Sequence, residues 1–547
     1  MTALLQQFGL QLESCSKDWA DQAAWRVLDA SFGDGTCWRE YLAAWRADRR
    51  RPRLLHYAAL ITPAQEMVAD APPDFQRHEF DDGQALLTLF GGELNTALRE
   101  LRMVADTVLL PPLAGPDVSV WTAKLLARNC RRGTRIFAQT LDAPAVKTLA
   151  AQGFALQQQA LGASWAGHYN PGWDPKERQL PELLDPHTAR RCIVIGAGLA
   201  GASTAYALSR RGWAVQVLDT ASAPAMGASG LPLGLMAHHT SADDNPRSRL
   251  TRAGVHMTTA HTARLLSIGQ DWAGSGVLTQ KAGAAPSYCA DGVWIKPKAL
   301  VAAWLAQPGI AFQSSSPVAG LAWRGPPDSG GRSSDPGGEW RVLAADGREL
   351  ASAPLVVLAA ATGCTDILRG CLPIGPNSMP PPLPNLTGVP GQVSWAAQLP
   401  GDGVWTPSFC VNGNGYVAAN VPIDGVPAWL AGATFEDESA PLEVASAQRE
   451  NFGRLQILLP GAAAALKHRF DAGAVQHWRG TRCTTPDRLP RVGPVGAGAP
   501  GVWLNTGFGS RGLTWSVLCA EWLAARLHGE PWPVAASLAH PLNYRGR

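Results

Sequence analysis

The 547-residue chain contains no CxxC pair, and its ten cysteines lie scattered. That argues against a disulfide framework or a zinc site, and no metal site is expected; the pattern reads as reduced thiols in a cytoplasmic protein. No run of about 18 apolar residues occurs, so a membrane span is not expected. The first residues, MTALLQQFGLQLESCSKDW, lack a basic segment and a long apolar core, so secretion is not expected either. No repeat at a solenoid period is visible. Charged residues are few, 17% against 46% apolar, which is globular composition rather than disorder. Excess charge of one sign is also lacking. Residues 1–185 hold 19 Lys+Arg and 22 Asp+Glu, a net −3, and the remainder holds 28 and 22, a net +6. A polyanion would meet only a mild electrostatic footprint, weaker than a dedicated nucleic-acid binder presents. Arg outnumbers Lys 39 to 8 and Trp reaches 21, which reads first as a compositional bias.

A length of 547 residues accommodates two large domains. The Pro-rich, polar stretch 166–190 precedes a strong apolar strand and reads as a linker between residues 1–165 and 191–547. A Gly/Pro/Ser-rich run, 325–338, separates LAWR from EWRVLAAD and reads as the loop of an extended hairpin within one domain. Residues 379–384 (MPPPLP) mark a further surface connection of polyproline type.

Residues 191–219, RCIVIGAGLAGASTAYALSRRGWAVQVLD, carry the strongest signal. A β-branched apolar run, 192–195, suits a parallel strand buried on both faces. Gly196, Gly198 and Gly201 follow in GxGxxG spacing, then a helical stretch 202–211, Gly212, and a second strand 214–218 ending in Asp219. Gly196 permits the tight turn, Gly198 lets backbone approach a pyrophosphate, and Gly201 allows close packing of helix on strand. The helix N-terminus offers free N–H groups to phosphates. Asp219 is placed to accept from ribose hydroxyls, and an acid there argues against a 2′-phosphate.

Further along, ASAPAMGASG places Ser229 and Gly230 in a small hydroxyl-bearing turn. PLVVLAAATG (354–363) is an apolar strand ending in small residues, and NTGFGSRGL (505–513) opens a helix over 515–527. This dispersal resembles the FAD-dependent amine oxidases of the D-amino-acid oxidase type. The resemblance implies FAD rather than NAD, with Gly507, Gly509, Ser510, Gly512 and Leu513 facing the flavin. It narrows with GVWIKPKALVAAWL, GQVSW, RGTRCTTPDRLPRVGPV and GSRGLTWSVLCAEWLAARL in this order. Together these look like the oxidoreductase half of the bifunctional tRNA 5-methylaminomethyl-2-thiouridine biosynthesis family. VLDASFGDGTCWREYLAAW resembles that family's methyltransferase half.

The fold implied is α/β: a Rossmann-like methyltransferase-type domain, then an FAD-binding Rossmann domain with an inserted antiparallel-sheet substrate domain. The FAD-binding parts fall at about 191–270, 350–372 and 478–547, and the substrate parts at about 271–349 and 373–477. The implied activity is oxidative removal of the carboxymethyl group from 5-carboxymethylaminomethyl-(2-thio)uridine at the tRNA wobble position, releasing glyoxylate and leaving the 5-aminomethyl form. Expected partners are modified tRNA and no membrane, with a monomeric protein.

A glycine-like carboxylate calls for a cation near the flavin, and bidentate Arg is the natural choice. Arg482 in GTRCTTPDRLP is the first candidate and Arg511 in GSRGL the second, ahead of Arg488 and Arg491. For any one of them the competing role is a surface ion pair. Tyr416 in GNGYVAA could close over the substrate, although a strand-face aromatic is the blander role. The family's Asn and Tyr-Pro after ASG are replaced by Leu231 and the pair His238–His239, for which a structural role is expected.

In the first third the glycine loop survives at residues 29–35, with Asp29, Gly33, Asp34 and Gly35. The second strand, 53–60, ends without an acid, with Ala58 or Ala59 where the family has a ribose-binding carboxylate. Pro111 and Pro112 stand where it has the Asp that contacts the amine. Proline can neither accept a proton nor orient an amine, and Asp117 lies beyond the Pro-Pro turn. A degenerate methyltransferase fold is expected, with S-adenosylmethionine bound only if the domain is still active. Two Arg clusters, Arg49, Arg50, Arg51, Arg53 and Arg128, Arg131, Arg132, Arg135, could meet phosphates, but solvated helix ends and loops are favoured. The alternatives are a small-molecule amino-acid or sarcosine-type oxidase, a non-catalytic tRNA-binding flavoprotein, and a fully bifunctional enzyme.

Overall fold

The structure is a computed structural model that describes residues 18–20, 22–61, 75–159, 163–174, 190–280, 283, 285–325, 338–372, 380–399, 402 and 408–544. The chain divides into two compact units. Unit 1 is Met1–Thr188, Arg210–Gly212 and Glu521–Pro541; unit 2 is Ala189–Ser209, Trp213–Ala520 and Leu542–Arg547.

Unit 1 is built on eight strands: β1 (Ala24–Asp29), β2 (Leu54–Ile61), β3 (Gln76–Phe80), β4 (Ala85–Gly91), β5 (Ala105–Leu110), β6 (Cys130–Ala138), β7 (Phe154–Gln158) and β8 (Trp165–Tyr169). They form one sheet in the order β3-β4-β2-β1-β5-β6-β8-β7. The five from β4 to β6 run parallel, while β3, at one edge, and β8 pair antiparallel to their neighbours. All eight residues of β2, LLHYAALI, are buried, as a central parallel strand covered on both faces requires. One face packs on an aromatic core of Trp19, Trp25, Tyr41, Trp45 and Tyr57 beneath the helix Thr36–Ala47. This is the Rossmann-like, methyltransferase-type order expected of the first third.

In unit 2 the chain forms β9 (Arg191–Ile195), β10 (Ala214–Leu218), β11 (Gly234–Met236), β12 (Trp272–Gly274), β13 (Val277–Thr279), β14 (Ser287–Cys289) and β15 (Val293–Ile295). It continues through β16 (Ile310–Gln313), β17 (Gly320–Arg324), β18 (Glu339–Leu343), β19 (Glu349–Ala353) and β20 (Leu355–Leu358). The last strands are β21 (Thr387–Ala397), β22 (Cys410–Gly413), β23 (Gly415–Ile423), β24 (Val426–Gly432), β25 (Gln476–Thr484), β26 (Arg491–Pro494) and β27 (Val502–Thr506). A six-stranded sheet, β16-β10-β9-β20-β27-β26, carries the dinucleotide motif. Its strands are parallel except β26. A seven-stranded sheet, β14-β13-β22-β23-β24-β21-β25, is antiparallel except where β13 meets β22. The helix Val444–Leu458 packs on it through Leu455 and Leu458.

Several sequence boundaries shift. Residues 166–169 were assigned to the linker, yet they lie in β8, whose backbone pairs with β6 and β7. β16 was assigned to the substrate domain but pairs in parallel with β10, so it extends the dinucleotide sheet. β25 pairs along its length with β21 and belongs to the other sheet, although the sequence placed its last seven residues with the cofactor. Residues 521–541 group with unit 1 rather than with the FAD-binding fold. β17 and β18 pair as the hairpin expected, while residues 326–337 of its loop, residues 175–189 of the linker and Met379 lie outside the described residues. No described helix is long and apolar enough to cross a membrane.

Candidate functional site

The glycine turn follows β9, and the helix Leu199–Arg210 starts directly behind it. Gly196 sits at φ 109°, and a Cβ there would lie 2.5 Å from the Ala359 carbonyl oxygen at the end of β20. A Cβ on Gly201 would stand 1.7 Å from the Gly196 carbonyl oxygen, so the helix can cross the turn only with glycine there. A Cβ on Gly198 would come within 2.9 Å of Ser229 Oγ. That oxygen accepts from the Leu199 N–H at 2.9 Å, tying the residue 227–230 turn to the helix start.

Asp219 has one carboxylate oxygen 2.6 Å from the Ala197 N–H it accepts and the other 2.8 Å from the Ala221 N–H. It therefore shapes the loop while each oxygen keeps a lone pair for a ribose hydroxyl. Gly507 (φ 78°) and Gly509 (φ 56°) turn the chain after β27, and the Gly509 N–H donates to the Cys483 carbonyl at 2.8 Å. Gly512 opens the helix Gly512–His528, with Ser510 exposed ahead of it and Leu513 buried. The Leu513 carbonyl accepts from Thr258 Oγ1 at 2.9 Å.

Asn505 carried no weight in the sequence reading. Its side-chain amide donates to Thr204 Oγ1 at 2.8 Å, pinning the returning strand to the first helix. A carboxamide in a fully buried strand (VWLNT) was the available signal. A Cβ on any of the three glycines would strike protein atoms within 3 Å, so only glycine allows this turn to close at the helix N-terminus, where a pyrophosphate would sit. The residues present fit the adenosine diphosphate portion of a dinucleotide.

Arg482 stands on β25 opposite Val389. Its Nη1 donates to the Thr434 carbonyl at 3.1 Å, and the guanidinium lies over the Phe435 ring at 4.5 Å. No carboxylate among the described residues is within ion-pair distance of it. Glycine makes its room: a Cβ on Gly391 would lie 2.3 Å from Arg482 Nη1. Burial lowers the pKa of the guanidinium, with the Tyr416 and Glu436 side chains acting the other way.

Tyr416 is half-buried on β23, and its hydroxyl donates to the Leu233 carbonyl at 2.9 Å. Burial raises the phenol pKa, so it stays protonated, while the Arg482 charge acts in the opposite direction. The structure thus brings Tyr416 and Arg482 into one electrostatic neighbourhood. Arg511 follows Gly509 in the loop whose N–H meets the Cys483 carbonyl, and its guanidinium pKa is lowered by burial and by the charges of Arg247 and Arg488. Arg491 instead pairs with Asp487 at 2.9 Å. His239 Nδ1 lies 3.1 Å from Ser248 Oγ and His238 Nδ1 3.4 Å from Cys289 Sγ. No group of three potential ligands that could hold a metal ion occurs among the described residues.

In unit 1, Asp29 ends β1 fully buried and accepts from Tyr57 Oη at 2.6 Å and the Ser31 N–H at 3.0 Å. Burial pushes its carboxyl up to about 7 against both hydrogen bonds. Gly33 and Gly35 take positive φ before the helix Thr36–Ala47, and the exposed Asp34 accepts from the Thr36 N–H. Ala58 and Ala59 lie inside β2 rather than at its end, which is Ile61; the segment beyond, residues 62–74, lies outside the described residues. Pro111 and Pro112 directly follow β5. Asp117 turns back on the Ala114 N–H at 3.0 Å.

The second Arg cluster is engaged within the fold. Arg131 pairs with Asp106 at 2.6 Å, Arg132 with Asp174 at 3.1 Å, Arg135 with Asp18, and Arg128 donates to the Leu98 carbonyl. In the first cluster Arg51 stacks over Trp45 at 4.0 Å, and Arg49, Arg50 and Arg53 are exposed.

A glycine cradle at the end of β9, closed by a returning strand and helix beside a separate sheet, is the frame of a dinucleotide-binding protein, and the family match makes it a flavin-dependent oxidoreductase. The FAD dependent oxidoreductase (DAO) family matches residues 191–285 and 279–526. Glycine oxidase from Geobacillus kaustophilus shares the fold, with TM-score 0.50 and 16% identity over 65% of this chain and 99% of its own. Curated relatives extend the likeness into unit 1. A protein of Albidiferax ferrireducens is 39% identical over 96% of this chain and 93% of its own length. One of Polaromonas naphthalenivorans is 38% identical over 96% and 90%. Both are tRNA 5-methylaminomethyl-2-thiouridine biosynthesis bifunctional proteins MnmC. This chain belongs to the MnmC family.

Proposed function

We propose that the protein oxidatively removes the carboxymethyl group from 5-carboxymethylaminomethyl-(2-thio)uridine at the tRNA wobble position, giving the 5-aminomethyl form and glyoxylate. The observation that carries this reading is Arg482, a half-buried guanidinium with no acid partner among the described residues. A buried cation is held at a cost unless an anion completes it. A substrate carboxylate would do so bidentately.

In the reaction the methylene between carboxylate and nitrogen loses a hydride and the nitrogen a proton. Water then adds to the resulting C=N bond, and the C–N bond breaks to leave glyoxylate and a primary amine. FAD, when bound, supplies the hydride acceptor. Gly196, Gly198, Gly201, Asp219, Ser229 and Gly230 would hold its adenosine diphosphate portion, and Gly507, Gly509, Ser510, Gly512 and Leu513 would face the flavin. Arg482 binds the carboxylate and so fixes which C–H bond faces the acceptor. Tyr416, kept as the neutral phenol, walls the same neighbourhood. Arg511 is the second cation, ahead of Arg488 and Arg491. In domain terms the methyltransferase-like part takes residues 1–165, extended through β8 to 169 and joined by 210–212 and 521–541, and the rest of 191–547 is the oxidoreductase. We place the protein in the cytoplasm as a monomer with modified tRNA as substrate.

The methyl-transfer step is lost in this reading. Pro111 and Pro112 follow β5 where an acid would meet the amine, and Asp29 is engaged by Tyr57 and Ser31. The fully bifunctional reading is favoured by the relatives' printed names and by the surviving loop with Gly33 and Gly35 at positive φ.

Anaerobic flavin bleaching tests the oxidation. Purified holoprotein is mixed with tRNA carrying the 5-carboxymethylaminomethyl group, or with free glycine and sarcosine. Bleaching by the tRNA alone, with stoichiometric glyoxylate, is expected. Bleaching by the small amines alone would make the protein a small-molecule amine oxidase. Transfer of label from S-adenosylmethionine to the product amine would restore the bifunctional reading.

A further inference from the structure

Phe435 is a large apolar side chain held out into solvent, 56% exposed, directly beside Arg482. Its neighbours are held inward. Thr434 is fully buried and Glu436 nearly so, and both have backbone N–H groups bonded to the adjacent strand, at the Gln392 and Pro390 carbonyls, each at 3.0 Å. Thr434 Oγ1 also donates to Glu436 Oε1 at 2.7 Å, and Arg479 pairs with the same carboxylate. With an extended segment fixed on both sides, the alternation of side chains sends Phe435 outward, and the backbone cannot fold it back. Arg482 lies over the ring at 4.5 Å, and Arg454, anchored to Glu450 at 2.5 Å, has its guanidinium carbon 6.0 Å from the ring centroid.

A rigid exposed aromatic flanked by two guanidinium groups has the chemistry of a single-strand nucleic-acid platform. The ring stacks a base, and Arg482, which has no acid partner among the described residues, is left to meet a negative charge that the base carries. Resting on the proposed function, we infer that Phe435 is the stacking platform for the unpaired wobble uracil, whose side-chain carboxylate Arg482 holds. The chain lengths agree: four bonds separate that carboxylate carbon from the ring, about 5 Å. A base turned out of the anticodon stack would present its face to the ring in this way. Phe435 is then a positioning residue for a macromolecular substrate and contributes nothing to small amines.

The test compares wild-type holoprotein, Phe435→Ala and Phe435→Trp. Anaerobic flavin reduction is measured against concentration of 5-carboxymethylaminomethyl-tRNA, and glycolate binding is read from the flavin absorbance. Stacking on an aromatic contributes about a 5- to 100-fold preference per base. The Ala variant should therefore need about 5- to 100-fold more tRNA for half-maximal reduction, with the Trp variant within about threefold of wild type. Glycolate affinity should stay within about twofold in all three. A tRNA dependence unchanged in the Ala variant overturns the inference. So does equal weakening of tRNA and glycolate, which would mean that Phe435 only props Arg482. Wild-type flavin that the tRNA fails to reduce removes the proposed function itself, an outcome distinct from either of these.

Discussion

Replacing Arg482 tests the centre of the functional assignment, and its magnitude follows from the surroundings. One guanidinium nitrogen is committed to the Thr434 carbonyl at 3.1 Å, and the face rests on Phe435. The remaining donors have no acid partner among the described residues, so a substrate carboxylate gains up to two charge-assisted bonds. At about 1.5–3 kcal/mol each, Arg482→Gln should cost about 3–6 kcal/mol of transition-state stabilisation, or roughly 10²- to 10⁴-fold in kcat/KM. Arg482→Lys restores the charge but not the fork, and should recover about half of that free energy. The assay is anaerobic stopped-flow bleaching with modified tRNA, glyoxylate measured in parallel and bound FAD quantified beforehand. FAD content should be unchanged, because the glycine turn that would hold the adenosine diphosphate portion follows β9, on a different sheet from Arg482. A Gln variant within threefold of wild type would refute the assignment of the carboxylate to this residue. Arg511 would then be the cation to test.

Other perturbations probe other parts of the chain. Gly198→Val places a side chain where even a Cβ comes within 2.9 Å of Ser229 Oγ, so the purified variant should carry under about a tenth of the wild-type FAD. Retained stoichiometric flavin would contradict the cradle. The Asp29 carboxyl is pushed up to about 7 by burial, so the folded chain holds a proton that the unfolded chain releases above about 4. Stability from this group is full below pH 4 and lost as pH rises through 7, to about 4 kcal/mol. Asp29→Asn should accordingly gain on wild type between pH 5 and pH 8 in urea melts followed by tryptophan fluorescence, and a pH-independent difference would sink that account. Glu521 is the reverse case: burial would raise its carboxyl, but Arg211, Arg210 and Arg77 outweigh it and hold the value near 2. Its contribution is present above the unfolded value near 4.3 and lost as pH falls toward 2, so Glu521→Gln should flatten the acid limb of stability, and an unchanged limb would refute it.

The dinucleotide motif was legible because each of its parts is local: strand, three glycines, helix and acid within 29 residues. Arg482 was legible as a candidate only through resemblance, since spacing alone does not single out one of 39 arginines. What set it apart, the room left by Gly391 and the absence of an acid partner among the described residues, depends on β21 lying beside β25. Phe435 was invisible for the same reason. An exposed aromatic and a half-buried strand residue look alike until Thr434 and Glu436 are seen bonded to the neighbouring strand. The misplacement of β16 has a topological cause: it pairs with β10, from which almost a hundred residues of chain separate it. The second strand, read as 53–60, runs Leu54–Ile61 and takes Ala58 and Ala59 into its interior, because an uninterrupted apolar run carries no mark of where pairing stops.

Unit 1 shows why the first third of the chain persists whatever its chemistry. Arg211 pairs with Glu530 at 2.6 Å and with Glu521 at 2.9 Å, and Arg210 reaches Glu79 at 3.4 Å. Arg77 of β3 lies 3.5 Å from Glu521, and His56 of β2 lies 3.3 Å from Glu530, all with side chains a tenth exposed or less. Groups buried this deeply are tolerated only while every partner is present. Removing one member costs about 3–5 kcal/mol, a large part of the 5–15 kcal/mol that holds a typical domain together. The partners come from β2, β3, residues 210–212 and residues 521–541, so this unit is assembled from segments more than 300 residues apart. Loss of the first strands would leave Arg211, Glu521 and Glu530 without Arg77 and His56. The methyltransferase-type sheet therefore supplies two members, Arg77 and His56, of the buried charge network that holds this unit together, whether or not the unit methylates.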